Sequence, residues 1–368
     1  MAPSNVYFTD MHTSKNDSIP AKLKRVMAAA GFDDWDLKGK IVAVKTHFGE
    51  HDNASYLRPL YVRNVVEEIQ RKGGLPFVTD TATMYPGMRR NAVEHLRCAA
   101  LNGFTAETIG CPIIIADGLL GDASINIPLP ENAVLDEAYI ARDILEADYL
   151  VVLSHAKGCL ATGLAATVKN LAMGCATRAG KYSMHNDGKV RVRTDACVGC
   201  AKCLKGCGQN AIDIVERKAI VNDNCVGCGH CIAYCSNNAI GAANPGCGDF
   251  LQKKLAEYAY AVVNNIPTFM ITVATDITPA CDCFTGNDVP VVPNIGIFAG
   301  RDPLAIDQAV ADKINASPVI GDSVLGQEGL EGPNNIDNIP ATSSYEVGLS
   351  YGEQLGLGTR EYALVEVK

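Results

Sequence analysis

The middle of the chain reads Cys197-Val-Gly-Cys200-Ala-Lys-Cys203-Leu-Lys-Gly-Cys207 and then Cys225-Val-Gly-Cys228-Gly-His-Cys231-Ile-Ala-Tyr-Cys235. Each run has the spacing C-x2-C-x2-C-x3-C, which ligates cubane iron–sulfur clusters in two-cluster proteins. In such pairs the fourth cysteine of each run ligates the other cluster. The spacing therefore predicts one [4Fe-4S] cluster on Cys197, Cys200, Cys203 and Cys235, and a second on Cys225, Cys228, Cys231 and Cys207.

Two other uses of clustered cysteines fit this pattern less well. Structural zinc takes four ligands, which leaves no role for a duplicated run of eight cysteines. A disulfide framework belongs to secreted proteins. Gly208 and Ser236 stand where proline usually follows the last cysteine. Because that proline supplies no ligand, we expect its loss to alter local packing or potential rather than cluster content.

The chain is larger than a two-cluster module requires. Its 368 residues, 48% hydrophobic and 20% charged, are typical of a globular protein with room for two or three domain-sized units. A net charge of −9, before any cluster is counted, argues against nucleic acid or an anionic membrane as a partner. The sequence shows no membrane-spanning apolar run and no signal-peptide pattern. Its 15 cysteines call for reducing conditions, so we expect a cytoplasmic protein from an oxygen-poor niche.

Outside the cysteine runs, strand patterns alternate with helix patterns. The predicted strands cover 41–46, 76–80, 112–116, 149–153, 268–274 and 295–299, and the predicted helices cover 59–72, 91–101, 135–147, 249–263 and 303–314. This alternation predicts an α/β fold, a mostly parallel sheet with helices on both faces. We expect an α/β domain in two parts, 1–186 and 247–368, interrupted by a ferredoxin-like 2[4Fe-4S] module at 187–246. A linear chain of two domains is the alternative, and 321–344 is predicted to be a long surface loop.

Polar side chains follow several predicted strands at the point where each strand ends. His47 follows the strand at 41–46, and His155 and Lys157 follow the strand at 149–153. Lys169 lies on the next helix, among small apolar residues that favour anion binding or a lowered lysine pKa. Because ligands bind at the carboxyl ends of parallel strands, we expect a cleft in which these four residues are catalytic or binding groups.

A second cysteine motif, Cys281-Asp282-Cys283, follows the strand at 268–274. Two thiols around a carboxylate could ligate a further metal or act as a redox pair, and a buried pair of free cysteines is the alternative. The chain lacks G-x-G-x-x-G after a strand and lacks G-x4-G-K-[ST], so a dinucleotide or ATP site is unsupported. Flavin stays open, since some flavin sites carry no short motif.

The polar motifs also form an ordered set. They are Lys45-Thr-His47-Phe-Gly49-Glu50, Asp80-Thr81, Ala116-Asp117-Gly118, Ser154-His155-Ala-Lys157-Gly158, Lys169-Asn170-Leu-Ala-Met173-Gly174, His185, Thr278-Pro-Ala-Cys281-Asp282-Cys283 and Asp302-Pro303-Leu-Ala-Ile-Asp307. The set resembles the iron–sulfur members of the family called domain of unknown function 362. That resemblance implies an α/β main domain with a ferredoxin module and no assigned reaction. Similar proteins tend to read Lys-Gly-His where this chain has Cys159, which puts the role of that position in doubt.

The clusters and the cleft together favour one function over another. The leading hypothesis is an iron–sulfur protein of the ferredoxin-coupled oxidoreductase class that passes electrons through two [4Fe-4S] clusters to or from a small-molecule or metal site in the α/β domain. The acceptor would be a small molecule or a redox partner protein. The alternative is a non-enzymatic electron carrier, or a maturation or scaffold protein for a metallocofactor, with structural clusters. The size of the chain favours the first, because a carrier alone needs only the module.

Overall fold

The computed structural model describes residues 2–85, 87–185, 189–225, 231, 234, 235, 237, 239–242, 247–330 and 333–368. The predicted cluster ligand Cys228 lies outside the described residues. The same holds for residues 186–188 and 243–246, where the predicted module boundaries fall.

The elements follow one another with short connections. The strands are β1 Ser4–Asp10, β2 Ile41–Lys45, β3 Leu75–Asp80, β4 Ile113–Ile115, β5 Ser124–Pro128, β6 Glu137–Ala141, β7 Tyr149–His155, β8 Lys157–Cys159, β9 Gly163–Ala165, β10 Val190–Val192, β11 Ile212–Val215, β12 Lys218–Val221, β13 Ile240–Ala242, β14 Thr268–Ala274, β15 Gly296–Gly300 and β16 Tyr362–Glu366. The helices are α1 Ile19–Ala29, α2 Pro59–Arg71, α3 Ala92–Leu101, α4 Ala106–Ile109, α5 Arg142–Leu145, α6 Thr167–Cys175, α7 Arg178–His185, α8 Lys202–Lys205, α9 Cys247–Val263, α10 Pro303–Asn315, α11 Val324–Gln327 and α12 Tyr345–Leu355.

A central sheet of eight strands organises the fold, in the order β16-β1-β15-β14-β7-β2-β3-β4. All neighbours run parallel except β15, which is antiparallel to both β1 and β14. Strand β14 pairs directly with β7, from Thr268 beside Leu150 to Val273 beside His155. The segments before and after the cysteine runs therefore contribute to one sheet. The protein is a mixed α/β fold with a large, mostly parallel sheet.

Helices cover both faces of this sheet, because successive strand residues point to opposite sides. In β14, Phe269, Ile271 and Val273 pack into one apolar core, and Met270 and Ala274 pack into the other. Helices α1 and α2 close the first core, whereas α6, α9 and α10 close the second. Within the described residues, no helix is long and apolar enough to cross a membrane.

The cysteine runs belong to a smaller unit with its own core. Strand β10 pairs with β13, and β11 pairs with β12, both antiparallel. Val190, Ile212, Ala219 and Ile240 pack together with the cysteines in a core that is separate from the two large ones. Gly199 (φ +70°) and Ala201 (φ +60°) adopt the left-handed conformation and turn the backbone sharply between the first cysteines.

Two expectations from the sequence were wrong. The helix expected at 135–147 is strand β6 followed by the single helical turn α5. Ala138 and Ile140 are buried whereas Glu137 and Tyr139 are partly exposed, which is the two-residue period of a strand, here paired with β5. The segment expected to be a surface loop at 321–344 contains α11 and buries Leu325, Ile336 and Ile339 against the core.

Candidate functional site

The carboxyl ends of the parallel strands converge on one cavity of about 80 Å³. Strand β2 delivers Lys45 and His47 to it, β3 delivers Asp80, and β7 leads to His155 and Lys157. The loop after β14 adds Cys281 and Cys283, and α6 adds Lys169. The structure thus brings together the side chains that the sequence placed at the strand ends.

Lys45 and Asp80 form a buried ion pair at the floor of the cavity. The Lys45 Nζ atom lies 3.0 Å from Asp80 Oδ1 and donates to the Thr46 carbonyl at 3.0 Å and to Asn170 Oδ1 at 2.8 Å. Burial opposes ionisation of Asp80, but Lys45 and His95 outweigh it and hold the pKa of the carboxyl well below its usual range. Because every proton of the Lys45 ammonium is engaged, this pair organises the floor.

A second buried network surrounds Asp282, between the two cysteines. His155 Nδ1 lies 2.9 Å from Asp282 Oδ2, and Lys157 Nζ donates to the same oxygen at 2.6 Å. His155 Nε2 faces the Thr275 carbonyl at 2.6 Å. Both ring nitrogens of His155 therefore face oxygen atoms, and these contacts fix the orientation of the ring. Burial opposes ionisation of Asp282, but His155 and Lys157 outweigh it and hold its pKa far below the usual range.

His47 sits against Arg89, which sequence reasoning missed. His47 Nδ1 accepts from the Gly49 N–H at 2.9 Å, and its Nε2 lies 3.0 Å from Arg89 Nη1. Burial and the Arg89 charge lower the pKa of His47 well below its ordinary value, so the ring is neutral. Arg89 Nε donates to Glu50 at 3.1 Å, and its Nη2 lacks a hydrogen-bond partner among the residues that the structure describes. His47 therefore positions Arg89, whose remaining N–H group is available to a ligand.

Lys169 reaches into a group of thiols. Its Nζ lies 2.7 Å from the sulfur of Cys159, the residue that departs from the resembled family pattern. Burial works against the ammonium, but Cys159, Cys281 and Cys283 outweigh it and raise the pKa of Lys169. The lysine is therefore a fixed cation beside three sulfur atoms.

The sequence analysis also missed Lys181, on α7. Its Nζ donates to Thr81 Oγ1 at 2.6 Å and to the Ala176 carbonyl at 2.7 Å. Burial lowers the pKa of Lys181 to about 8. Asp117, at the end of β4, has a different role, because its carboxylate accepts the Ala82 N–H at 3.0 Å and fixes the loop after β3.

In the smaller unit, four cysteines from both runs line one small cavity. They are Cys197, Cys200, Cys203 and Cys235. Backbone N–H groups point at cysteine sulfurs, from Ala219 to Cys197 at 3.4 Å and from Ala239 to Cys235 at 3.2 Å. The first run has the same kind of contact at its last cysteine, where the Ala211 N–H points at the Cys207 sulfur at 3.2 Å. Cys225 and Cys231 pack in the same core.

The cysteine cavity is lined by thiols, and backbone N–H groups point at two of their sulfurs. Among the described residues, no three His, Cys, Asp or Glu side chains lie close enough to hold one metal ion. The same holds for the thiol pair Cys281 and Cys283: in the part of the chain that the structure describes, no third ligand lies close enough to complete a metal site with them. The four thiols around the cavity, with N–H groups aimed at the sulfurs, match the donor set and the hydrogen bonding that tune iron–sulfur clusters.

A groove of about 260 Å³ shares a lining residue with each of the two sites. Tyr234 lines both the cysteine cavity and this groove. Cys283 lines both the groove and the cavity at the strand ends. The two units are also tied by Gln209, whose side chain donates to the Met84 carbonyl at 2.8 Å. The cysteine unit therefore faces the thiol end of the strand-end cavity.

Comparison with known proteins gives a family and distant structural neighbours. The lactate racemase apoprotein from Thermoanaerobacterium thermosaccharolyticum is 13% identical with a TM-score of 0.39, over 74% of this chain and 51% of that one. A protein from Thermotoga maritima is 10% identical with a TM-score of 0.38, over 91% of this chain and 58% of that one. The chain therefore spans little more than half the length of these two structures. No curated protein matches it. The family described as domain of unknown function (DUF362) matches residues 42–312, which is most of the chain, and the chain belongs to that family.

Proposed function

We propose that this protein is an iron–sulfur oxidoreductase that passes electrons between two [4Fe-4S] clusters and a small anionic molecule bound at the strand ends. The observation that carries the proposal is the groove between the two sites, lined by Tyr234 on the side of the cysteine unit and by Cys283 on the side of the cavity. A cluster that only stabilises the fold would not need to lie next to a groove that leads towards a second site.

The cysteine unit supports the choice of cofactor. Its duplicated spacing suits two cubane clusters, and the cavity takes three cysteines from the first run and Cys235 from the second. When bound, such clusters exchange single electrons. The chain's own contribution is to hold the thiols around the cavity and to donate backbone N–H groups to Cys197, Cys207 and Cys235.

The charges of the strand-end cavity support an anionic ligand. Lys45 and Lys157 are neutralised by Asp80 and Asp282. In contrast, Lys169 and Lys181 have no carboxylate within ion-pair distance in the part of the chain that the structure describes. These two lysines leave an excess of positive charge in the cavity, and the Nη2 of Arg89 adds an unpartnered donor. A small carboxylate or oxyanion would satisfy these donors.

An anaerobic redox titration of the intact protein, followed by EPR, tests the redox role. We expect the iron–sulfur signals to appear and disappear reversibly at potentials within reach of cellular reductants. Clusters that never cycle in that range would contradict the redox proposal and favour the scaffold alternative.

Anion binding is tested separately by thermal shift with oxalate and inorganic phosphate. We expect one of these probes to stabilise the wild type, and Lys169→Met to abolish the shift. Lys189→Met removes an exposed lysine of the same size and should leave the shift unchanged. Equal shifts in both variants would show that the cavity is not the binding site.

A further inference from the structure

Cys281 and Cys283 form a thiol pair at the junction between the groove and the cavity. The two side chains hydrogen-bond to each other, and the Tyr85 side chain also hydrogen-bonds to Cys283. Both cysteines line the strand-end cavity, and Cys283 also lines the groove that leads to the cysteine unit. The pair is thus placed between the two sites.

The loop that carries the pair is held rigidly. The Asp282 side chain is anchored by His155 and Lys157 on one side, and its carbonyl accepts the Glu50 N–H at 2.8 Å. The Phe284 N–H closes a turn on the Cys281 carbonyl at 3.0 Å. Cys281 and Cys283 both line the cavity, whereas the Asp282 side chain between them is directed to His155 and Lys157.

The two sulfurs are chemically unequal. The hydrogen bond from Cys281 lowers the pKa of Cys283 against the effect of burial, and the nearby charges of Lys169 and Arg89 lower it further. The same hydrogen bond, together with burial, raises the pKa of Cys281 well above its ordinary value. Cys283 is therefore the more acidic and more reactive thiol of the pair, and Cys281 is the less acidic one.

We propose that Cys281 and Cys283 are a redox-active dithiol that cycles between a thiol–thiolate pair and a disulfide. This inference rests on the proposed function, because the pair would exchange its electrons with the two [4Fe-4S] clusters, each of which carries one electron at a time. In oxidation, the Cys281 S–H bond breaks, its proton leaves to solvent, the S–S bond forms, and one electron goes to each cluster. In reduction, two electrons return, the S–S bond breaks, and one proton binds the Cys281 sulfur. The pair would convert single electrons into a two-electron step beside the ligand.

Peptide mass spectrometry of the intact holoprotein tests the pair independently of the clusters. The protein is oxidised with diamide, part of it is re-reduced with dithiothreitol, and both parts are alkylated and digested with trypsin. The tryptic peptide 255–301 contains Cys281 and Cys283 as its two cysteines, and the tryptic peptide 98–142 contains Cys98 and Cys111 as its two. Cys98 and Cys111 are buried thiols whose pKa burial raises to about 11, so their peptide is the matched control.

We expect diamide to leave peptide 255–301 unalkylated and lighter by two hydrogen atoms, and dithiothreitol to restore it, while peptide 98–142 stays reduced. Cys283→Ser should abolish the mass change. Two alkylated thiols in peptide 255–301 after diamide would overturn the dithiol. Equal oxidation of both peptides would also overturn the proposal, because Cys281 and Cys283 would then be no more easily oxidised than the control thiols Cys98 and Cys111.

A second measurement tests the link to the clusters. The diamide-oxidised holoprotein is photoreduced anaerobically with a deazaflavin, and the same peptide is followed. We expect the disulfide to open in the wild type and to persist in Cys235→Ala, which lacks a cluster ligand. A disulfide that persists in wild type with reduced clusters would overturn the electron link. Absence of iron from the protein would instead refute the proposed function, and the diamide result would still decide the fate of the pair.

Discussion

Asp282→Asn tests whether the buried network at the cavity is a charged one. The carboxylate is fully buried and is contacted by the Lys157 ammonium at 2.6 Å and by the His155 ring at 2.9 Å. The amide has the same shape but no charge, so it leaves the Lys157 ammonium without a counter-ion. Removing one partner of a buried ion pair costs about 3–5 kcal/mol. We expect Asp282→Asn to lower the free energy of unfolding by that amount.

Urea denaturation followed by fluorescence measures this change. Trp35 is the only tryptophan of the chain and packs against Phe32, Tyr149 and Phe269 beside the central sheet, so its emission reports the α/β fold. With an m-value of about 3 kcal/mol per molar urea, the midpoint should fall by about 1–1.7 M. The matched control Glu67→Gln removes an exposed carboxylate that pairs with Lys24 and Arg63, and should cost less than about 1 kcal/mol.

The pH dependence of this difference has a definite sign. The pKa of Asp282 is lower in the folded than in the unfolded protein, so the folded state binds fewer protons and the stabilisation is fully present above the unfolded pKa. The advantage of the wild type over Asp282→Asn should therefore shrink as the pH falls below about 4. A midpoint equal to that of Glu67→Gln at pH 7 would refute the charged network.

Three further results are expected. The pKa of Lys181 is lowered to about 8 in the folded protein, so the folded state loses the Lys181 proton at a lower pH than the unfolded state does. The free energy of unfolding of the wild type, relative to that of Lys181→Met, should therefore rise by roughly 3 kcal/mol between pH 8 and 10.5. Urea titrations at several pH values would measure this rise. Arg89→Met should remove the thermal shift by oxalate or phosphate without removing iron, and an unchanged shift would exclude Arg89 from the anion site. Cys235→Ala should damage the cluster whose other ligands are Cys197, Cys200 and Cys203. EPR that shows loss of the other cluster instead would refute the crossed assignment.

Much of the sheet followed from local patterns. The apolar runs of β7 and β14 are long and buried on both faces, which is typical of parallel strands, and their pairing brings Cys281 and Cys283 to His155. The reversed direction of β15 could not be predicted, since an apolar run carries no information on direction. Strand β6 was misread as helical, because a short apolar run fits both periods.

The cavity was only partly visible in the sequence. Lys45 and His155 are the last residues of β2 and β7, and Lys157 comes shortly after β7, so their position along the chain places them at the sheet edge. Arg89 lies in an irregular loop, and Lys181 lies on a short helix that reaches the cavity only through tertiary packing. A sequence gives no measure of that packing. The Glu50 contact to Arg89 was equally hidden, since it joins two loops rather than two periodic elements.

Iron and acid-labile sulfide analysis with EPR of the anaerobically purified protein is the most direct test of the central claim. Eight ligand thiols predict about eight iron and eight sulfide per chain, and the reduced protein should show two magnetically interacting [4Fe-4S]+ centres. About four iron per chain, or zinc in place of iron, would contradict the account.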